Sequence, residues 1–147
     1  MKTKNKTITF QSKGKFDFID ITEQVKSFVN ESQIKDGLVN IQNMHTSSAL
    51  IVNENEPLLI EDMKQRLEVF APESLSYNHD NFEIRTVNLC DDEYKNGHSH
   101  CKAILMLPSV TLNLIAGQMQ LGKWQSIMFI ELDFSRERKV QIQILGE

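Results

Sequence analysis

The sequence predicts an α+β fold: mostly antiparallel β-sheets packed with two or three helices, in a single domain over residues 1–147. Three observations predict it. Period-two alternation of apolar and polar residues marks strands near both ends of the chain. Two segments between them carry helical periodicity and helix-start residues. The length of 147 residues, 40% of them hydrophobic, suits one core and leaves little for a second.

The elements follow in order. Lys4–Ser12 alternates, with Ile8 and Phe10 opposite Thr7 and Thr9, and reads as a strand. Phe16–Ile21 alternates apolar with acidic residues and reads as a second strand. Asp20 and Glu23 have the spacing of a capping box, opening a helix from Thr22 to about Asn30 with Val25, Phe28 and Val29 on one face. Leu38–Met44 and Ser48–Asn53 read as two adjacent strands joined near His45-Thr46-Ser47. Asn55-Glu56-Pro57 is a helix start, with Asn as cap and Pro in the first turn. Leu59, Met63, Leu67 and Phe70 then recur at helical spacing until Ala71-Pro72 ends the run.

Residues 73–97 are polar and turn-rich, except for Phe82–Leu89, which could hold a short strand. Such long connections within a domain are often functional. Ser99–Leu107 reads as a helix in preference to a buried strand. Val110–Leu114, Ser126–Asp133 and Lys139–Leu145 are strands, with a turn at Ala116-Gly117-Gln118.

Charge and composition exclude several classes. Net charge is −4, with Lys2, Lys4, Lys6, Lys13 and Lys15 near the start and a strongly acidic stretch over residues 53–93. An acidic middle repels phosphate backbones, so nucleic acid is not an expected partner. The N-terminal lysines suit a solubilising edge strand. No apolar run approaches the ~20 residues that span a bilayer, and the first residues lack a signal-peptide core. Two cysteines, Cys90 and Cys101, do not make a disulfide framework. The expectation is a soluble, cytoplasmic protein without a membrane partner.

The chemistry-bearing residues are few. The four histidines, His45, His79, His98 and His100, lie in loops or at element ends. They read either as metal ligands, since imidazole suits zinc and three ligands leave a vertex for water or substrate, or as surface and capping groups. On a strand His98 and His100 share a face; on a helix they point to different faces. Glu54 stands where a strand meets a helix and could hold Mg²⁺ or belong to an ordinary helix start. Arg136 and Arg138 flank a hairpin turn, where they either clamp a phosphate or face solvent. Neither cysteine has a neighbouring base to activate it. The P-loop, dinucleotide-binding and serine-hydrolase motifs are absent.

Taken in order, His45-Thr46-Ser47-Ser48-Ala49-Leu50, Asn53-Glu54-Asn55, His79-Asp80, His100-Cys101-Lys102, Gly122-Lys123-Trp124-Gln125 and Arg136-Glu137-Arg138-Lys139-Val140 resemble the YjbQ family, also called secondary thiamine-phosphate synthases. The resemblance runs from about Lys6 to Gly146. It implies an α+β homotrimer with a metal pocket between subunits, its ligands His45, His79 and His100, with His98 as an addition. It implies a divalent metal, zinc or magnesium, and a small phosphorylated substrate. It also implies weak thiamine-phosphate synthase activity, joining a pyrimidine methyl diphosphate to a thiazole phosphate with release of pyrophosphate. Such a reaction needs its leaving-group charge neutralised, for which Lys102, Arg136 and Arg138 are the candidate cations and Glu54 the candidate metal holder or base. The chain departs from the pattern at Lys123 and Ser126, where Thr and Gly are usual, and at Leu107, where Gly is usual. The loop after His79 is longer than usual.

Overall fold

Alternating exposure along the strands builds two antiparallel sheets that face each other. A computed structural model describes residues 1–147. The elements are β1 (Lys2–Gln11), β2 (Phe18–Asp20), α1 (Thr22–Ser32), β3 (Gly37–Asn43), β4 (Ser48–Glu54), α2 (Pro57–Phe70), a 3₁₀ turn at Asn78–Asp80, α3 (Gly97–Ala103), β5 (Ser109–Ile115), β6 (Gln118–Met119), β7 (Gln125–Glu131) and β8 (Glu137–Gly146). One sheet has the order β1-β8-β3-β5-β6, the other β2-β7-β4. The fold class is therefore α+β, as the alternation predicts.

In the larger sheet β8 is a clean two-faced strand. Arg138, Val140, Ile142, Ile144 and Gly146 are buried, while Lys139, Gln141 and Gln143 face water. The lysine-rich β1 lies at that sheet's edge, beside β8. Its core face meets Leu50, Ile127 and Phe129 of the smaller sheet, and α1 adds Val25, Phe28 and Val29 to the same core. Phe10 of β1 packs edge-on against Phe129 of β7 at 5.0 Å between ring centroids. The other face of the smaller sheet carries Ala49 and Ile130, with Leu67 of α2 and Ala103 of α3 packed against them. Covered on both faces, β7 is buried from Ile127 to Glu131. No helix is long and apolar enough to cross a membrane.

Several local expectations are corrected. β3 and β4 are not partners: β3 pairs with β5 and β8, β4 with β7, so residues 44–47 cross from one sheet to the other. The Asp20–Glu23 capping box does not form. Ile21 is the cap residue of α1, and Asp20 Oδ1 accepts from Thr22 N at 2.9 Å. At α2 the cap is Glu56 rather than Asn55; its carboxylate accepts from Leu58 N and Leu59 N, while Asn55 donates to Asp20. Phe82–Leu89 forms turns, not a strand. The Arg85 guanidinium takes up the carbonyls of His79, Val87 and Asn88, holding the segment to itself rather than to a sheet edge. α3 begins two residues before, and ends four before, the predicted Ser99–Leu107 helix.

Candidate functional site

The crossing between the sheets is pinned by one buried amide. Asn43 Nδ2 donates to the carbonyls of His45 and Ser48, and its Oδ1 accepts from His45 N and Ser48 Oγ. All of these bonds lie within 3.1 Å, so the loop has one conformation in which His45 is presented. Past the end of β3, Lys139 N of β8 loses its ladder partner and donates to His45 Nε2 at 2.8 Å. The neutral ring therefore carries its proton on Nδ1.

His79 and His100 meet from the 3₁₀ turn and from α3. Their ring centroids lie 4.6 Å apart at an interplanar angle of 68°. The two elements are joined by Asp80, whose Oδ1 accepts from Asn96 N and Gly97 N, both at 2.9 Å. A carboxylate from a distant turn thus satisfies the first free N–H groups of α3. Tyr77 lies directly over Gly97, where any Cβ would sit 2.5 Å from Tyr77 Cβ.

His45, His79, His100, Arg136 and Arg138 line one cavity of about 940 Å³. Arg85, Glu93, Asn96 and Ser47 line it too; the sequence reading did not single these out. Of the four buried side-chain N or O atoms that lack a hydrogen-bond partner, three belong to residues of this cavity: His79 Nε2, Asn96 Oδ1 and Arg136 Nε. Buried polar atoms are normally paired, and unpaired ones mark where a ligand or water supplies the partner.

The two arginines differ sharply. Arg138 is 2% exposed and forms a two-pronged pair with fully buried Glu131, with Ser47 Oγ as a further acceptor. Its charge is neutralised inside the fold. Arg136 is partly exposed, stacks on Phe134 at 3.7 Å and shares Asp133 with Asn96. Strand parity signals the difference: Arg138 falls in step with Val140, Ile142 and Ile144, so it must point inward.

Lys102, Glu54 and His98 lie outside the cavity. Lys102 is 0% exposed and donates to Ala71 O and His98 Nδ1, with Glu68 at 3.2 Å. It ties α3 to the end of α2 and has no route to the imidazole pair. Glu54 is exposed at the end of β4, opposite Gln125. His98 occupies the other side of α3 from His100, as the helical reading requires. No group of three His, Cys, Asp or Glu side chains closes on a point that could hold an ion. The three imidazoles share a cavity without forming a ligand set within one chain; His79 and His100 are the pair that comes together.

Burial sets the protonation. Desolvation lowers the pKa of His100, helped by His79 beside it; desolvation and the Arg138 charge lower that of His45. Desolvation and the Lys102 ammonium lower that of His98. These rings are neutral at pH 7, the form that ligates metal or accepts a proton. Because the folded values lie below the unfolded ones, the unfolded chain binds more protons in mild acid. Stability is then present above the unfolded histidine range near 6.5 and is lost as pH falls toward the folded values. Urea titrations at stepped pH should show the midpoint falling between about pH 7 and pH 5, and His98→Gln should flatten that fall.

A family model described as UPF0047 protein, YjbQ-like, matches residues 6–147. The chain belongs to the YjbQ/UPF0047 family. A UPF0047 protein of Methanothermobacter thermautotrophicus is 34% identical over 147 residues, covering 100% of this chain and 95% of that protein. The UPF0047 protein YugU of Bacillus subtilis is 29% identical, covering 96% of this chain and 98% of that one. Among solved structures, a YbjQ-like protein of unknown function from Sulfolobus solfataricus superposes with a TM-score of 0.82 at 32% identity, over 99% of this chain and 100% of that chain. A yjbq/upf0047 family protein from Clostridium acetobutylicum gives 0.78 at 33% identity, over 94% and 99%. The family thus accounts for nearly the whole length of this YjbQ-like chain.

Proposed function

We propose that the cavity between the His45 loop, the 3₁₀ turn and α3 binds a small phosphorylated molecule. The unpaired Arg136 Nε carries this reading, because it needs an acceptor such as a phosphate oxygen, while Asn96 Oδ1 needs a donor and His79 Nε2 a partner from the rest of the bound molecule. Arg136 is the cation for the phosphate; Arg138 positions Ser47 and answers Glu131. A divalent cation, zinc or magnesium, fits only in part. His79 and His100 would hold it, and it would supply charge neutralisation for phosphate oxygens. The remaining ligands would have to come from the bound molecule, water or another subunit.

The candidate reaction is the one implied by the family resemblance. The bond between a pyrimidine methylene carbon and a diphosphate oxygen breaks, a bond to a thiazole nitrogen forms, and pyrophosphate leaves. Arg136 would face the leaving charge. The assembly that goes with this reading is a homotrimer; exposed Leu58, Val69, Ile104 and Leu107 offer apolar area for contacts between copies. A monomeric mass by light scattering would remove the trimer from the proposal.

A second reading, a non-catalytic ligand-binding trimer, is favoured by a specific observation. Glu93, the cavity's one carboxylate, is paired with Arg85 at 3.3 Å, and Glu54 lies elsewhere, so no free carboxylate base is at hand. Pyrophosphate release from the two substrates, measured for the wild type, His79→Ala and Arg136→Ala, separates the readings. Turnover lost in both variants supports the enzyme; binding without turnover in the wild type supports the second reading. Metal analysis adds an independent check: His79→Ala or His100→Ala should carry less metal than Cys90→Ala, whose thiol is exposed and outside the cavity. Equal metal content in all three removes the cation.

A further inference from the structure

On the far side of α3 from the imidazole pair, His98 is 4% exposed and its Nδ1 lies 3.2 Å from Lys102 Nζ. An ammonium group has only protons to offer, so Nδ1 accepts and the ring proton sits on Nε2. Lys102 is itself fixed by Ala71 O at 2.6 Å and by Glu68, so the tautomer is locked from within the fold. His98 lines a cavity of about 730 Å³ together with Lys13, Lys15, Lys95, Tyr94 and Ser135.

The charges around this cavity do not cancel. Its acids are Glu73 and Asp133. Glu73 is paired with Lys15, and Asp133 accepts from Arg136 and Asn96. Lys13 and Lys95 have no ion-pair partner. Two unneutralised ammonium groups and a ring N–H of fixed tautomer border a space large enough for a small ligand. Asp133, Phe134 and Ser135 line this cavity and Arg136 the other, so the same short connection before β8 borders both.

We propose that this second cavity is an anion site that takes a phosphoryl group, with Lys13 and Lys95 facing its charge and His98 Nε2–H donating to it. It does not depend on the reading of the first cavity. The shared chemistry is a dianionic phosphate, either the free ion or a monoester. Tyr94, tilted against Phe134 with ring centroids 4.6 Å apart, would favour an ester bearing a ring.

The test is a titration of the full chain with inorganic phosphate and, separately, phenyl phosphate, followed by amide and imidazole NMR shifts. Saturable shifts are expected at Gly14, Lys95, Ser135 and the His98 ring. The exposed-side variant Lys13→Gln/Lys95→Gln should weaken that binding about fivefold per ammonium removed, and more weakly in high salt. His79→Ala, which alters only the first cavity, should leave it in place, and this keeps its outcome separate from that of the first cavity. Tighter binding of phenyl phosphate assigns the site to esters; equal or weaker binding assigns it to the free ion. Absence of saturable shifts at those positions, or unchanged affinity in the double variant, overturns the proposal.

Discussion

Replacing Glu131 or Arg138 with alanine is expected to cost the fold about 3–5 kcal/mol, because either change strands a charge in the core. Glu131 Oε2 takes Arg138 Nε at 2.6 Å and Ser12 Oγ at 2.7 Å, while Oε1 takes Arg138 Nη2 and Asp133 N. One carboxylate therefore joins β7, β8, the end of β1 and the connection that carries Arg136. Domains of this size hold only about 5–15 kcal/mol in all. The thermal midpoint should fall by roughly 6–20 °C, at about 2–4 °C per kcal/mol. The pair also allows a rescue: Glu131→Leu/Arg138→Met removes both charges and should regain most of the loss. Urea denaturation of the two single variants and the double variant measures this directly. An Arg138→Ala protein within about 0.5 kcal/mol of wild type would return that arginine to the role of a solvent-facing phosphate clamp.

The contrast between Arg136 and Arg138 illustrates what the sequence makes legible. Alternation is a local signal, so β1, β5 and β8 can be read from their own residues, and Pro57 with the Leu59–Phe70 period marks α2. The same parity places Arg138 inward, but its partner Glu131 comes from another sheet, and no spacing rule links the two. Likewise His45 and Ser48 look like the ends of one hairpin until Asn43 is seen to knot a crossing between sheets. Lys102 reads as a free cation in a motif, yet its burial under Ala71 and Glu68 depends on where α2 ends in space. That His45, His79 and His100 share a cavity follows from no periodicity. It depends on Asp80 reaching across the long loop to Asn96 and Gly97, and only the family resemblance anticipates it.

That reach makes Gly97→Ala the most selective way to dismantle the candidate site. The new methyl group would meet Tyr77 Cβ at 2.5 Å and Cγ at 2.8 Å, with Asp80 Oδ1 at 3.3 Å. Real carbons do not approach so closely, so the 3₁₀ turn must move away from α3. Tyr77 is anchored through its hydroxyl to Pro72 O at 2.7 Å, and cannot simply swing aside. Overpacking of this kind costs about 1–3 kcal/mol. The Asp80 bonds to Asn96 N and Gly97 N would lengthen as well, and each charge-assisted bond is worth about 1.5–3 kcal/mol. The sheets contribute nothing to this contact, so the damage should stay in the loop. The expected result is loss of phosphate binding in the first cavity of tenfold or more, since about 1.4 kcal/mol suffices for a factor of ten. Amide exchange in β3, β7 and β8 should stay as slow as in the wild type, while residues 77–97 exchange faster. Asp80→Asn keeps an acceptor oxygen and should fall between the two, whereas Asp80→Ala should match Gly97→Ala. Wild-type affinity in Gly97→Ala would mean that the His79–His100 pairing does not set ligand binding.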